Sequence, residues 1–280
     1  MHGDRALAER ACDRLRAMTA IKGTVLLTGA SGGIGHAIAR TLAARGAQLV
    51  LTGRRADVLE PLAQELGGRA LAVDLADRDA PERLAAEAGD VEILVANAAL
   101  PASGTLDDYT NEQVDRALDV NLRAPIVLAK LLSEGMVARG HGHLVFISSL
   151  SGRAAAGGSA LYSATKFGMR GFALSLREDL RSSGVGVSTI FPGFIRDAGM
   201  FARADVSLPP GVGTRSPEDV AAAVVRGIER NKAELDVAPV GLRLGSIVSG
   251  IAPELALNSS RRMGGARIAD GLAAGGRDHR

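Results

Sequence analysis

The 280-residue chain predicts a single-domain α/β fold, a doubly wound parallel sheet flanked by helices, on three observations. Short apolar runs alternate with longer segments of helical period. A glycine-rich turn follows the first run and opens a helix, and the polar residues able to do chemistry fall just after the apolar runs. Runs with little polar interruption are strands buried on both faces, which requires helices on both sides of the sheet. Parallel neighbours then need right-handed helical crossovers, and ligands of such sheets sit beyond the carboxyl ends of the strands.

Thr24–Thr28 reads as the first strand and Gly33–Arg45 as a helix stopped by Gly46. Gln48–Thr52 is the next strand. Asp57–Leu66 reads as a helix, with Asp57 and Glu60 as a capping box and Gly67-Gly68 as its end. Ala70–Val73, Ile93–Ala96, Leu144–Ile147 and Val185–Phe191 read as further strands, with long helices over Asn111–Arg139 and Ser159–Arg181. Ser216-Pro217-Glu218-Asp219 offers an N-cap, a proline at N1 and an acid at N3 for a last helix, before a short strand Leu235–Ala238.

Two segments frame this domain of residues 21–263, and a third forms its end. Residues 1–20 carry one thin apolar stripe (Leu7, Ala11, Leu15, Met18) and predict a helical extension. Residues Gly241–Met263 are apolar and interrupted by glycine, which predicts a helix that closes a pocket or meets another subunit. The Gly/Arg-rich tail 264–280 predicts disorder.

A hydrophobic content of 46% is ample for a buried core, whereas 3% aromatic residues and no Trp make a poor base-stacking surface. With a dispersed net charge of +2, nucleic acid is not expected as a partner. The lone Cys12 cannot form an internal disulfide, and the charged N-terminal residues contain no apolar core of a secretion signal. No run approaches the roughly 18 apolar residues of a membrane span, so no integral membrane span and a cytoplasmic location are expected.

The turn after the first strand reads Thr28-Gly29-Ala30-Ser31-Gly32-Gly33-Ile34-Gly35. Glycines there let backbone N–H groups approach phosphate oxygens, and a helix N-terminus favours the anion. Gly29, Ser31, Gly33, Ile34 and Gly35 are therefore candidate pyrophosphate contacts. No Gly-Lys-Ser/Thr follows, which disfavours a triphosphatase loop. NAD sites place a carboxylate at the end of the second strand, about 20 residues on. This chain instead has Thr52-Gly53-Arg54-Arg55. A guanidinium can pair with a 2′-phosphate that a carboxylate would repel, so NADP(H) is the expected cofactor, with Arg54 as first contact and Arg55 as helper.

Ser148-Ser149 follows the fifth strand, and thirteen residues after Ser149 comes Tyr162-Ser163-Ala164-Thr165-Lys166. On a helix, Tyr162 and Lys166 share a face one turn apart. An ammonium beside a phenol lowers its pKa toward the working range, so the pair could give or take a hydroxyl proton. Ser149 would hold the carbonyl oxygen.

These motifs, in this order over roughly Ile21 to Ala238, resemble the short-chain dehydrogenases/reductases, a Rossmann-type family. They are Thr28–Gly35, Asp74 after the third strand, Ala96-Asn97-Ala98-Ala99 after the fourth, Asn121, Ser149, Tyr162 with Lys166, and Pro192-Gly193. The resemblance implies a catalytic set of Asn121, Ser149, Tyr162 and Lys166, with Asn121 holding a water that links Lys166 to solvent. It further implies that Asp74 and Leu75 meet the adenine and that Asn97 and Ala98 line the ribose. Lys166, with Tyr162 beside it, would bind the nicotinamide ribose, and Ile195 after Pro192-Gly193 the carboxamide. Three motifs depart from the family pattern. Ala96 replaces the first asparagine and Ala99 the glycine of Asn-Asn-Ala-Gly, Asp197 stands where a Thr or Ser is usual, and Gly32 stands where NADP users often carry a basic residue.

The expected activity is reversible hydride transfer between NADP(H) and a ketone, aldehyde or secondary alcohol. Phe194, Met200 and Phe201, in a segment of about 194–215 expected to act as a lid, predict an apolar substrate. A 3-oxoacyl thioester is a candidate subclass, and a homodimer or homotetramer is the expected assembly. A non-catalytic NADP-binding sensor is the reading from another class. His141 and His143 alternate just before the fifth strand and predict a turn rather than a metal site.

Overall fold

The computed structural model describes residues 21–204, 208, 212–262 and 271–275; the extension expected over residues 1–20 lies outside them. Seven parallel strands form one sheet in the order β3-β2-β1-β4-β5-β6-β7. They are β1 (Thr24–Thr28), β2 (Gln48–Gly53), β3 (Arg69–Ala72), β4 (Ile93–Ala96), β5 (Gly142–Ile147), β6 (Val185–Pro192) and β7 (Glu234–Val237). The helices follow as α1 (Gly33–Ala43), α2 (Ala56–Leu66), α3 (Ala80–Ala88), α4 (Asn111–Leu118), α5 (Ala124–Arg139) and α6 (Ala160–Asp179). The last four are α7 (Gly199–Arg203), α8 (Pro217–Arg230), α9 (Val240–Ile251) and α10 (Pro253–Arg262).

Alternation along the strands builds two cores. Val25 and Leu27 of β1 face one, with Ile38, Leu42, Leu59 and Val224 of α1, α2 and α8. Leu26 faces the other, with Leu84, Leu128, Met136 and Met169 of α3, α5 and α6. Each such side chain contributes about 1.5–3 kcal/mol by leaving water. The strand order reverses at β1, between β2 and β4, so the crevice for a ligand opens beyond the ends of β1 and β4.

Two local expectations are corrected. Helix α2 starts at Ala56 with Arg55 as its N-cap residue and no side-chain cap, so Asp57 lies inside the first turn and forms no capping box. The Arg55 guanidinium donates to the Ser31 carbonyl (2.5 Å), which sets the start of the helix from the glycine-rich turn. The helix expected over Asn111–Arg139 is interrupted by a π-helical turn, Asp119–Arg123. Pro125 has no N–H for the Asn121 carbonyl four residues back, and the Asn121 side chain bonds Leu100 instead. Other local signals are realised as expected: Gly67 ends α2 in the left-handed region (φ 66°), and Ser216 and Asp219 form a capping box on α8.

His143 is also not in a turn. It lies in β5 at the end of the sheet away from the ligand crevice, buried, its Nε2 2.8 Å from Ser188 Oγ. Ser188 spends its hydrogen on the Lys232 carbonyl (2.6 Å), so Nε2 carries the proton that His143 donates. Burial, helped by the Arg177 charge, pushes the imidazole down to about 4. The unfolded chain therefore binds a proton near the ordinary histidine value of 6.5 that the fold refuses. Stability is complete above about 6.5 and declines as pH falls toward 4, by about 3 kcal/mol at the limit. Urea midpoints measured across that window should fall in the wild type, and His143→Leu should flatten the slope.

Candidate active site

The signature residues converge on a cavity of about 780 Å³ at the carboxyl ends of the strands. Ser149, Tyr162 and Lys166 line it together with Ile34, Asn97, Pro192, Gly193 and Ile195. Tyr162 and Lys166 lie one turn apart on α6, and both are buried. The Ser149 hydroxyl accepts the Ser151 N–H (3.1 Å) and pulls the Tyr162 phenol, which lines the same cavity, toward a lower pKa. Lys166 Nζ donates to the Ile147 carbonyl (3.0 Å) and stands 5.6 Å from the centre of the Tyr162 ring.

The electrostatics correct one expectation. Burial pushes the Tyr162 phenol up to about 12, against a downward pull from Ser149, instead of the lowering expected from Lys166. The same burial lowers the Lys166 ammonium to about 8. Both groups lose water, and Lys166 directs its proton at a main-chain carbonyl, so desolvation outweighs attraction between them.

Asn121 does not line the cavity. Its side-chain oxygen accepts the Leu100 N–H (2.7 Å) and its amide donates to the Leu100 carbonyl (3.0 Å), so the side chain is spent on the main chain after β4. The sequence signal was Pro125, four residues on. Asn97 braces the glycine-rich turn, donating to the carbonyls of Thr28 and Gly29 (both 3.1 Å), while the N–H groups of Asn97 and Ala98 bond Thr28 Oγ1. Asp74 pairs with Arg116 of α4 (2.9 Å), and Leu75 is buried in the core.

The turn itself fits a dinucleotide phosphate. Gly29 has φ +67°, and a Cβ on Gly35 would stand 2.3 Å from the Gly29 carbonyl oxygen, so turn and helix are as close as glycine permits. Gly32 caps α1 without a side chain, so the first-turn amides keep their hydrogens for an anion. A Cβ on Gly33 would instead meet Ala198, so the loop after β6 closes over the cradle. At the adenosine end Arg54 and Arg55 are exposed, and Arg40 and Arg55 join burial in holding His36 below its usual pKa. Ser31 Oγ occupies the space a Gly53 side chain would need, 2.9 Å from that Cβ position, a contact that sequence reasoning missed.

The segment after β6 returns on itself. Arg196 N–H bonds the Arg215 carbonyl and Arg215 N–H the Phe194 carbonyl (both 2.9 Å), which pins the base of the loop. Phe194 and Phe201 rings meet 5.1 Å apart, and with Met200 they line the cavity. Pro209-Pro210-Gly211 lie outside the described residues. Asp197 adopts φ +64°, a region Asp tolerates, and faces Arg196 (3.5 Å). Helix α9 supplies Leu242 and Gly245 to the opposite wall. The disorder expected from Gly264 onward is not found at 271–275, a helical turn whose Leu272 lines the cavity. Among the described residues, no group of three His, Cys, Asp or Glu could hold a metal, and no helix is long and apolar enough to cross a membrane.

Fold and site together define a nicotinamide-dinucleotide oxidoreductase, and comparison with known proteins names its class. The family model of the short chain dehydrogenases matches residues 23–206, and the chain belongs to that family. It is 34% identical over 230 residues to the ketoacyl reductase HetN of Nostoc sp., covering 79% of this chain and 80% of the relative. It is 36% identical over 176 residues to the 3-oxoacyl-acyl-carrier-protein reductase FabG of Escherichia coli, covering 61% of this chain and 72% of that one. A solved short-chain dehydrogenase from Sphingobium yanoikuyae in complex with NADPH superposes with a TM-score of 0.73 at 28% identity, covering 84% of this chain and 95% of the other.

Proposed function

We propose that this chain catalyses reversible reduction of an apolar ketone or aldehyde to the alcohol with NADP(H). The observation that carries the reading is that Ser149, Tyr162 and Lys166 line one cavity, with Lys166 buried one turn on from Tyr162. The cofactor, when bound, supplies the hydride. Ser149 orients the carbonyl oxygen and stabilises its charge, and Tyr162 gives that oxygen its proton. A phenol held at about 12 stays protonated at neutral pH, which suits donation. Oxidation needs the phenolate, so its rate should climb with pH. Lys166 would bind the cofactor ribose, and Asn121 would hold a water that links Lys166 to solvent for return of the proton.

Gly29, Ser31, Gly33, Ile34 and Gly35 would hold the pyrophosphate, Asp74 and Leu75 the adenine end, and Asn97 and Ala98 the ribose. Pro192, Gly193 and Ile195 hold the carboxamide. Arg54, with Arg55 anchored on Ser31, receives the 2′-phosphate. A 3-oxoacyl thioester is the favoured substrate subclass, supported by the apolar cavity and by the ketoacyl reductases among the relatives. Residues 194–215 serve as the lid, and a cytoplasmic homodimer or homotetramer is the working state.

The test is turnover of NADPH and NADH over a carbonyl panel. KM should favour NADPH by about tenfold or more, and Arg54→Ser should erase most of that margin. A comparable preference for NADH in the wild type would sink the cofactor assignment. NADPH binding without any turnover would favour the sensor reading.

A further inference from the structure

Beyond the cavity floor, Arg153 ends the short 3-10 turn, Leu150–Gly152, that Ser149 begins. The Gly152 N–H bonds the Ser149 carbonyl (2.8 Å) and the Arg153 N–H the Leu150 carbonyl (2.9 Å). A Cβ on Gly152 would lie 2.7 Å from the Lys166 carbonyl oxygen, so the turn is seated directly on α6. From its far end the Arg153 guanidinium runs inward, 12% exposed, over the Phe191 ring at 4.1 Å. It reaches Glu234 at 2.8 Å and Asp236 at 3.3 Å, both on the edge strand β7.

Glu234 also accepts Arg170 of α6 at 2.6 Å. One carboxylate therefore ties the serine's turn to the tyrosine's helix. Asp236 in turn faces Arg243 of α9, the cavity wall, at 3.6 Å. Burying a guanidinium is costly, and its Nε finds no acceptor here. A stabilising surface pair would not need that placement. The planar fork instead fixes direction.

We propose that Arg153 is a positioning residue that sets Ser149 against Tyr162 by clamping the Ser149 turn to Glu234 and Asp236. The proposal rests on the reading above, in which Ser149 and Tyr162 act on the carbonyl oxygen. Both carboxylates keep another arginine when Arg153 is removed, so Arg153→Met leaves no buried charge unpaired and the fold should persist.

The experiment compares full-length wild type, Arg153→Met, Arg153→Lys and Asp236→Asn. Misplacing a reacting group by about 1 Å can cost about a hundredfold in rate. Arg153→Met should lower kcat at least about tenfold, with KM for the carbonyl and the affinity for NADPH within about twofold, and Arg153→Lys should recover part of the loss. Amide exchange at residues 150–154 should quicken at least about tenfold while α8 is unchanged. Two results overturn the proposal: kcat and exchange both within about twofold of wild type, or a loss spread evenly over cofactor affinity and the whole domain. Should Arg153→Met not fold, Asp236→Asn, which leaves the Glu234 grip, must give a smaller loss in the same direction; no change overturns the clamp. Exchange needs no turnover, so a chain that reduces no carbonyl refutes the reading above while exchange still decides on Arg153.

Discussion

Tyr162→Phe should lower turnover of carbonyl reduction by about a thousandfold, with NADPH affinity changed by no more than about twofold. General acid catalysis by a positioned side chain contributes about 10²–10⁴ in rate, and Tyr162 is the phenol that lines the cavity beside Ser149. The ring would keep its packing beside Leu161 and Met200, so only the hydroxyl is removed. Single-turnover kinetics separates this from slow product release. Substantial activity in the variant would mean that the proton comes from elsewhere, with Lys166, lowered to about 8, the next candidate. In the wild type, alcohol oxidation should rise from pH 7 to 10 while reduction holds steady near neutrality. That asymmetry follows from the upward shift of the phenol.

Gly35→Ala should cost on the order of 3 kcal/mol of stability and weaken dinucleotide binding by about a hundredfold or more. The added Cβ would meet the Gly29 carbonyl at 2.3 Å and the Ala30 Cα at 2.8 Å, backbone atoms that cannot swing aside. Either the phosphate turn opens or α1 lifts from β1. Gly171→Ala in α6 is the control, because a Cβ there meets nothing within 4 Å. It should be neutral or stabilise by about 0.5–1 kcal/mol, as alanine does in a helix. Denaturant midpoints and quenching by titrated NADPH read both outcomes. A Gly35→Ala protein with wild-type midpoint and affinity would show that the turn is looser than its contacts indicate.

Much was legible from local chemistry. Strands buried on both faces read as unbroken apolar runs, so β1, β4 and β6 were visible to within a residue at each end. The glycine-rich turn was legible because few residues besides glycine tolerate φ +67° or a backbone contact that close. Tyr162 and Lys166 were legible because four residues is one helical turn. The misses share another cause. The break after Leu118 depends on Asn121 finding Leu100, 21 residues away, with Pro125 as the only local sign. Asp57 and Glu60 have the right spacing for a capping box, but Arg55 reaching Ser31 set the start of α2 one residue earlier.

The glycine-rich turn, the one-turn spacing of Tyr162 and Lys166 and the α/β fold class were determined by the sequence alone, since they follow from local pattern and the order of the elements. Tertiary structure decided what those groups are worth. Burial, a property of the whole packed domain, moved the phenol up where spacing to Lys166 predicted a fall. The turn that carries Ser149 is likewise set by Glu234 and Asp236, more than eighty residues along the chain. Charge and distance between elements act through the solvent that the fold excludes, and no local pattern of residues records that exclusion.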